Sequence, residues 1–158
     1  AAELRKGRMD MALSLQPLRQ WHRLVKSTKL REENLILVVP PRHRHLCAGP
    51  LTELPVVDYY QKPLLIEGWL KHHRQRRVKP RIRVFGSNLD HVLQMVFKGV
   101  GCAVVPRHVV TAELAAGTLL EHGWDQRRPW IVSVWLNASH GAERMAPAVR
   151  CVWDGLGS

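Results

Sequence analysis

The stretch SNLDHVLQMVFKGVGCAVVPRHVVTAELAAGTL, residues 87–119, sets the reading of the whole chain. Ser87 is placed to cap a helix, and Asp90, three residues on, can complete a capping box. Leu89, Val92, Leu93 and Val96 then recur at helical spacing along one face. Gly99 ends that helix. The run Gly101–Pro106, GCAVVP, reads as a buried strand. Pro106 opens a second helix whose inward face holds Val109, Val110 and Leu114, and Gly117 closes it. Just upstream, Ile82 and Val84 mark a short strand ahead of Ser87. Strand, helix, strand, helix in fewer than about 40 residues is the unit of an α/β fold.

Outward from this stretch the alternation continues. Residues 34–41, NLILVVPP, are apolar and branched, and two prolines stop them, so they read as a buried strand. RHRHLCAGPLTELP follows as a surface turn and short helix, and VVDYY, Val56–Tyr60, as the next strand. Pro63 can open a helix through IEGWLKHH, although Gly68 inside it costs helix propensity. TLLEHGW reads as extended and WIVSVWL, Trp130–Leu136, as a strand. Met145, Val149, Val152, Trp153 and Leu156 give the apolar stripe of a C-terminal helix. At the other end, MDMALS, Met9–Ser14, is a short strand after a helix whose last turn carries Arg5 and Lys6 and which Gly7 ends. The pattern predicts an α/β fold with largely parallel sheet.

With 158 residues, 46% hydrophobic and 23% charged, the chain suits one domain or two small lobes. No run approaches the roughly 18 apolar residues of a membrane span, and the opening AAELRKGRMD has no apolar signal core. A soluble, unexported, cytoplasmic chain is expected. The absence of an initiator Met leads to the expectation of more protein upstream. Cys47, Cys102 and Cys151 are odd in number and far apart, which suits a reducing compartment better than a disulfide framework or a zinc knuckle. The net charge of +11 favours acidic partners. Much of it lies in KHHRQRRVKPRIR, where Lys71, Arg74, Arg76, Arg77, Lys79, Arg81 and Arg83 meet no acidic residue. A solvated basic face is the first reading of such a run. A nucleic-acid patch and a funnel for an anionic ligand are the alternatives.

Catalytic and metal signals are weak. His43 and His45, one residue apart, and the adjacent His72 and His73 lack carboxylate or cysteine partners nearby, so they read as exposed loop histidines and no metal is expected. Ser133, Ser139, His140 and Glu143 lie close in sequence, yet no GxSxG elbow, Gly-rich phosphate loop or HExxH helix accompanies them. No enzyme and no cofactor is implied. Trp21, Trp69, Trp124, Trp130, Trp135 and Trp153 are scattered over separate elements and read as core or interface anchors and not as a stacking platform.

Taken in order, GRMDMAL, ENLILVVPPRHRHL, the stretch from Ser87 to Leu119, and WIVSVWL before a terminal helix resemble the effector-binding domain of LysR-type transcription regulators. The likeness covers nearly the whole chain. It implies an α/β fold of two Rossmann-like lobes of the type 2 periplasmic-binding-protein kind, joined by two crossing strands with a small ligand in the cleft between them. Lobe I would comprise residues 1–25 and 120–158, and lobe II residues 26–119. The family opens this domain with further strands before the GxxD element matched by Gly7 and Asp10, so the first lobe is expected to be incomplete. Its DNA-binding helix-turn-helix domain is absent from the sequence. The implied function is effector sensing, relayed to DNA by that other domain through a dimer or tetramer. A solute-binding protein of a transport system shares the implied architecture and is the alternative, with a basic nucleic-acid-binding module as a third.

In α/β folds ligands settle beyond the carboxyl ends of strands, where helix N-termini present free N–H groups. Ser14, after MDMAL, matches the family position that often offers a hydroxyl to the effector; the other reading is an ordinary strand-ending turn. Ser87 and Asn88, at the mouth of LDHVLQMVFK, resemble the position that meets a ligand carboxylate or amide, a role compatible with simple capping. Gly101 and Val104 bring the next strand towards the cleft floor, Val104 being also a plain core residue. The basic chain leans towards a carboxylate effector.

Overall fold

The structure, a computed structural model, describes residues 4, 6, 8–15, 17–18, 25–47, 53–59 and 64–139. The turn expected at Gly7, Trp21 and the C-terminal helix from Met145 to Leu156 lie outside the described residues. The chain divides into two compact units, residues 1–33 with 132–158 and residues 34–131. It passes from one to the other inside two strands, β2 (Val25–Val39) and β7 (Trp130–Ser139). Both crossings come later than the boundaries expected after residues 25 and 119: the first lies within β2, which runs unbroken through the charged stretch Lys26–Glu33, and the second within β7.

In the unit of residues 34–131, β3 (Glu53–Tyr59) and β4 (Lys79–Gly86) pair in parallel, and helix α1 (Leu65–His72) is the crossover between them. One residue of β4, Arg83, is extra at a bulge, since Val56 pairs with Ile82 and Val57 with Val84. Helix α2 (Leu89–Phe97) follows, then β5 (Ala103–Pro106). A 3-10 turn, Arg107–Val110, leads into a short helix α3 (Thr111–Ala115). The single helix expected after Pro106 is thus two pieces, broken where Val110 leaves helical angles at φ −127°, ψ 18°. β6 is only Leu120–Glu121, and HGW, expected to be extended, belongs to a turn of helix, α4 (Gly123–Arg127). The stretch after β2 is a 3-10 segment, Pro41–Cys47.

The expectation of a largely parallel sheet needs correction. β5 and β6 both run antiparallel to β2, Leu37 facing Val104 and Val39 facing Leu120. The parallel pairings among the described residues are β3 with β4 and one bridge, Val56 with Cys102. The physical reason is that β5, which returns from α2, pairs along its length with β2 running the other way, and meets β3 in parallel only through the Cys102 bridge.

The core of this unit gathers Ile36 and Val38 of β2, Val57 of β3, Val92 and Val96 of α2, Ala103 and Val105 of β5, and Val110 and Leu119, all buried. Leu89 and Leu93 pack on it from the predicted face of α2. Gly99 closes α2 at φ +70°, as its position after the apolar stripe anticipated. Gly68, in the middle of α1, has a different reason: a Cβ there would sit 2.7 Å from the ring of Trp130.

Beneath α1 lies a buried polar and aromatic cluster. The Asp125 carboxylate accepts from Leu37 N–H at 2.9 Å and from the Trp69 indole N–H at 2.7 Å, and lies 3.1 Å from His73 Nε2. Trp69 is fully buried and stacks on Trp124, ring centroids 5.5 Å apart, while Trp130 stacks on His72. His122 bridges Leu46 O through Nε2 and accepts from Trp124 N–H at Nδ1. His73 is therefore a buried residue and not the exposed loop histidine that the sequence suggested. Three of the tryptophans, Trp69, Trp124 and Trp130, meet here from separate elements as anchors.

In the other unit, β1 (Met11–Ser14) pairs antiparallel with the C-terminal half of β7, from Met11 opposite Ala138 to Ser14 opposite Trp135. The strand predicted at MDMALS is present over its last four residues.

Candidate functional site

Ser14 ends β1, and what holds it is Asn137. The Asn137 side chain is fully buried in β7. Its Nδ2 donates to Ser14 Oγ at 2.8 Å, while its Oδ1 accepts from the Ser27 hydroxyl at 2.6 Å and from Leu18 N–H at 3.2 Å. Leu18 N–H also reaches Ser27 Oγ at 3.2 Å. One amide thus sets the direction of the Ser14 hydroxyl and ties β1, β2 and the segment after β1 together. Sequence reasoning missed Asn137 and Ser27. The available signal was an asparagine interrupting the apolar run of β7, since a buried amide needs partners.

In the unit of residues 34–131, α2 presents its N-terminus to solvent. Asn88 is the N-cap residue, extended at φ −150°, ψ 175°, and its Oδ1 accepts from His91 N–H at 2.9 Å. Ser87, expected to cap, instead places its Oγ 2.8 Å from His91 Nδ1. The cap moves by one residue because the helix begins at Leu89, which puts Asn88 at the boundary and leaves no capping box to Asp90. Both Ser87 and Asn88 are exposed. The first N–H groups of a helix have no acceptor within it, and together they carry about half a unit of positive charge. Asn88 satisfies one of them, at His91, so those of Leu89 and Asp90 point the way a bound anion would lie.

Gly101 and Val104 sit differently. Gly101 is buried where a Cβ would come within 2.8 Å of Pro55 O, so its lack of a side chain lets this segment lie against β3. Val104 is 3% exposed in β5. Neither presents a side chain to solvent.

His43 Nε2 lies 3.1 Å from Gly99 O, and His45 meets it edge to face. No three His, Cys, Asp or Glu side chains among the described residues converge as metal ligands do. Cys47 and Cys102 are free thiols whose pKa burial raises, which works against thiolate chemistry. Ser133 lies in β7, whereas His140 and Glu143 lie outside the described residues.

Two compact units, between which the chain passes inside β2 and β7, fit the fold of the type 2 periplasmic-binding-protein kind. The family model described as LysR substrate binding domain matches residues 1–158, and the chain belongs to that family, the effector-binding domains of LysR-type transcription regulators. A comparison with curated proteins found no match. Among solved structures, the C-terminal domains of a LysR family protein from Agrobacterium tumefaciens str. C58 are similar at TM-score 0.76 and 22% identity, over 99% of this chain and 76% of the other. The regulatory domain of HypT from Salmonella typhimurium in its bromide-bound form follows at TM-score 0.75 and 20% identity, over 98% of this chain and 74% of the other. Full-length LysG from Corynebacterium glutamicum, with bound effector Arg, matches at TM-score 0.73 and 15% identity over 98% of this chain. The chain spans 52% of the length of that full regulator.

Proposed function

We propose that this domain senses a small effector bearing a carboxylate, received at the N-terminus of α2 by Ser87 and Asn88, and that Ser14 is a ligand-contact position of its own unit. The observation that carries the reading is the exposed mouth of α2, where two backbone N–H groups and two short polar side chains stand together in a domain of an effector-binding family. Asn137 positions the Ser14 hydroxyl, and Gly101 and Val104 act from beneath by fixing the strand that follows α2. In the regulator, occupancy would shift the balance between two arrangements of the domain, and a separate DNA-binding domain would read that shift within a dimer or tetramer. A cytoplasmic location suits this role, and no helix among the described residues is long and apolar enough to cross a membrane.

The test is a thermal-shift screen against amino acids, arginine included, and small aliphatic and aromatic carboxylates. A ligand at ten to a hundred times its dissociation constant stabilises the fold by roughly 1.4–2.7 kcal/mol, visible as a raised melting point. The shift should shrink in Asn88→Ala and Ser87→Ala. A hit that neither variant weakens would remove α2 from the site.

A further inference from the structure

The cations of residues 71–83 acquire an arrangement in the fold that the sequence did not show. Along β4 the burial alternates, so that Lys79, Arg81 and Arg83 are exposed while Pro80, Ile82 and Val84 are partly covered. Arg83 is the extra residue of the bulge. Lys71 at the end of α1 and Arg74, Arg76 and Arg77 in the turn before β4 are exposed as well. Among the described residues β4 has one neighbour, β3, and its other edge is unpaired.

The carboxylates near this surface are few. Glu53 stands opposite Lys79 across the β3–β4 pair, Glu67 lies on α1, and Asp90 opens α2. Asp58 is buried, with its oxygens committed to the N–H groups of Tyr59 and Ile66. None of the seven cations forms an ion pair with a described carboxylate.

We infer that the β4 face, with Lys79, Arg81 and Arg83 as its row and Arg74, Arg76 and Arg77 at its end, is a contact surface for the phosphate backbone of duplex DNA. This goes beyond effector sensing and does not depend on it. Side chains two apart on a strand are separated by about 6.6 Å, so the row spans about 13 Å on a rigid element. Duplex DNA carries a charge about every 1.7 Å of its axis, so such a row meets several phosphates without reordering. Five of the seven cations are arginine, whose planar fork pairs with phosphate oxygens through two hydrogen bonds. The contact reads no bases; it adds sequence-independent affinity.

The experiment measures fluorescence anisotropy of a labelled duplex of about 30 base pairs, long enough to cover the roughly 13 Å row many times over, with this chain between about 50 and 200 mM NaCl. Lys79→Gln/Arg81→Gln/Arg83→Gln should weaken binding about tenfold or more at low salt and make the salt slope shallower by about 2.7, three phosphates at about 0.9 each. Arg76→Gln/Arg77→Gln, outside any strand, should change the slope by about 1.8 and guards against misfolding of the first variant. A control with the same loss of charge, Lys6→Gln/Lys98→Gln/Arg127→Gln, removes exposed cations elsewhere and should leave most of the affinity. The inference is overturned if the unaltered chain does not bind DNA in this range, or if the control loses as much as the β4 variant. Tighter binding of a polyglutamate peptide than of DNA would likewise overturn it, in favour of an acidic protein partner.

Discussion

Asn137 and Asp125 each hold several elements through one buried side chain, and the two differ in what a substitution leaves behind. Asn137→Ala removes one bond each from Ser14 Oγ, Ser27 Oγ and Leu18 N–H, and leaves Leu18 N–H its bond to Ser27 Oγ. Leaving buried polar groups unpaired costs about 1–3 kcal/mol, and a lowered urea midpoint should report a loss of that size. Ser14→Ala removes one of those bonds and should cost less, so a larger loss there than in Asn137→Ala would contradict the role of the amide as the hub. Above pH 7, Asp125→Asn keeps the shape but turns an acceptor into a donor that faces either Leu37 N–H or the Trp69 indole N–H. A loss on the order of 2–4 kcal/mol is expected, read by the emission of the adjacent Trp69 on urea unfolding.

Among the elements, α2 shows how a cap and a ligand contact separate. Asn88→Ala removes the acceptor for His91 N–H and should destabilise by about 1 kcal/mol, whereas Asn88→Asp should restore most of it. Ser87→Ala breaks an exposed contact with His91 and should change the unfolding midpoint by less than about 0.5 kcal/mol. A large stability loss in Ser87→Ala would mean that the cap is shared. The body of α2 was legible because its apolar stripe and Gly99 agree, and β5 because GCAVVP is uniformly apolar. The outer half of β2 was not, since Lys26–Glu33 is exposed or partly exposed over most of its length and carries no alternation of apolar residues. α4 was hidden for a related reason: HGWDQRR has too few apolar positions for a period, and its two buried members, His122 and Asp125, are polar. The candidate site was half legible. Polar residues at a helix mouth are visible in sequence, but an asparagine buried between strands is known only once its neighbours are placed.

For the whole molecule, pH separates two kinds of buried histidine. Burial pushes Asp125 up to about 7, partly opposed by the Leu37 and Trp69 N–H groups. Burial, with the nearby imidazoles and Arg128, pushes His73 down to about 4. Between those values the folded pair holds one proton, and so does the unfolded pair, whose ordinary values are 3.8 and 6.5. The opposed shifts therefore nearly cancel in the pH dependence of folding. His122 has no such counterpart: burial lowers its pKa, and the Leu46 carbonyl offsets this only in part. Above pH 6.5 it is neutral folded or unfolded; below, the unfolded chain takes up a proton that the folded one resists. Stability should fall as pH drops below that point, by at most about 1.4 kcal/mol per unit from this group. Urea midpoints from pH 7.5 to 5 would show it, and His122→Gln should flatten the profile. An unchanged slope in that variant would place the acid sensitivity elsewhere.

Asp58 lends the effector reading a counterpart inside the same unit. It closes β3 and turns its carboxylate onto the first turn of α1, accepting from Ile66 N–H at 3.1 Å, while Leu64 at the helix boundary offers no side-chain cap. Of the two described helices with eight or more residues, one carries a resident anion supplied by its own chain and the other does not. The protein thus contains an internal reference for what a filled helix mouth is like: a guest carboxylate at α2 would repeat, from solution, a lock that α1 acquires on folding.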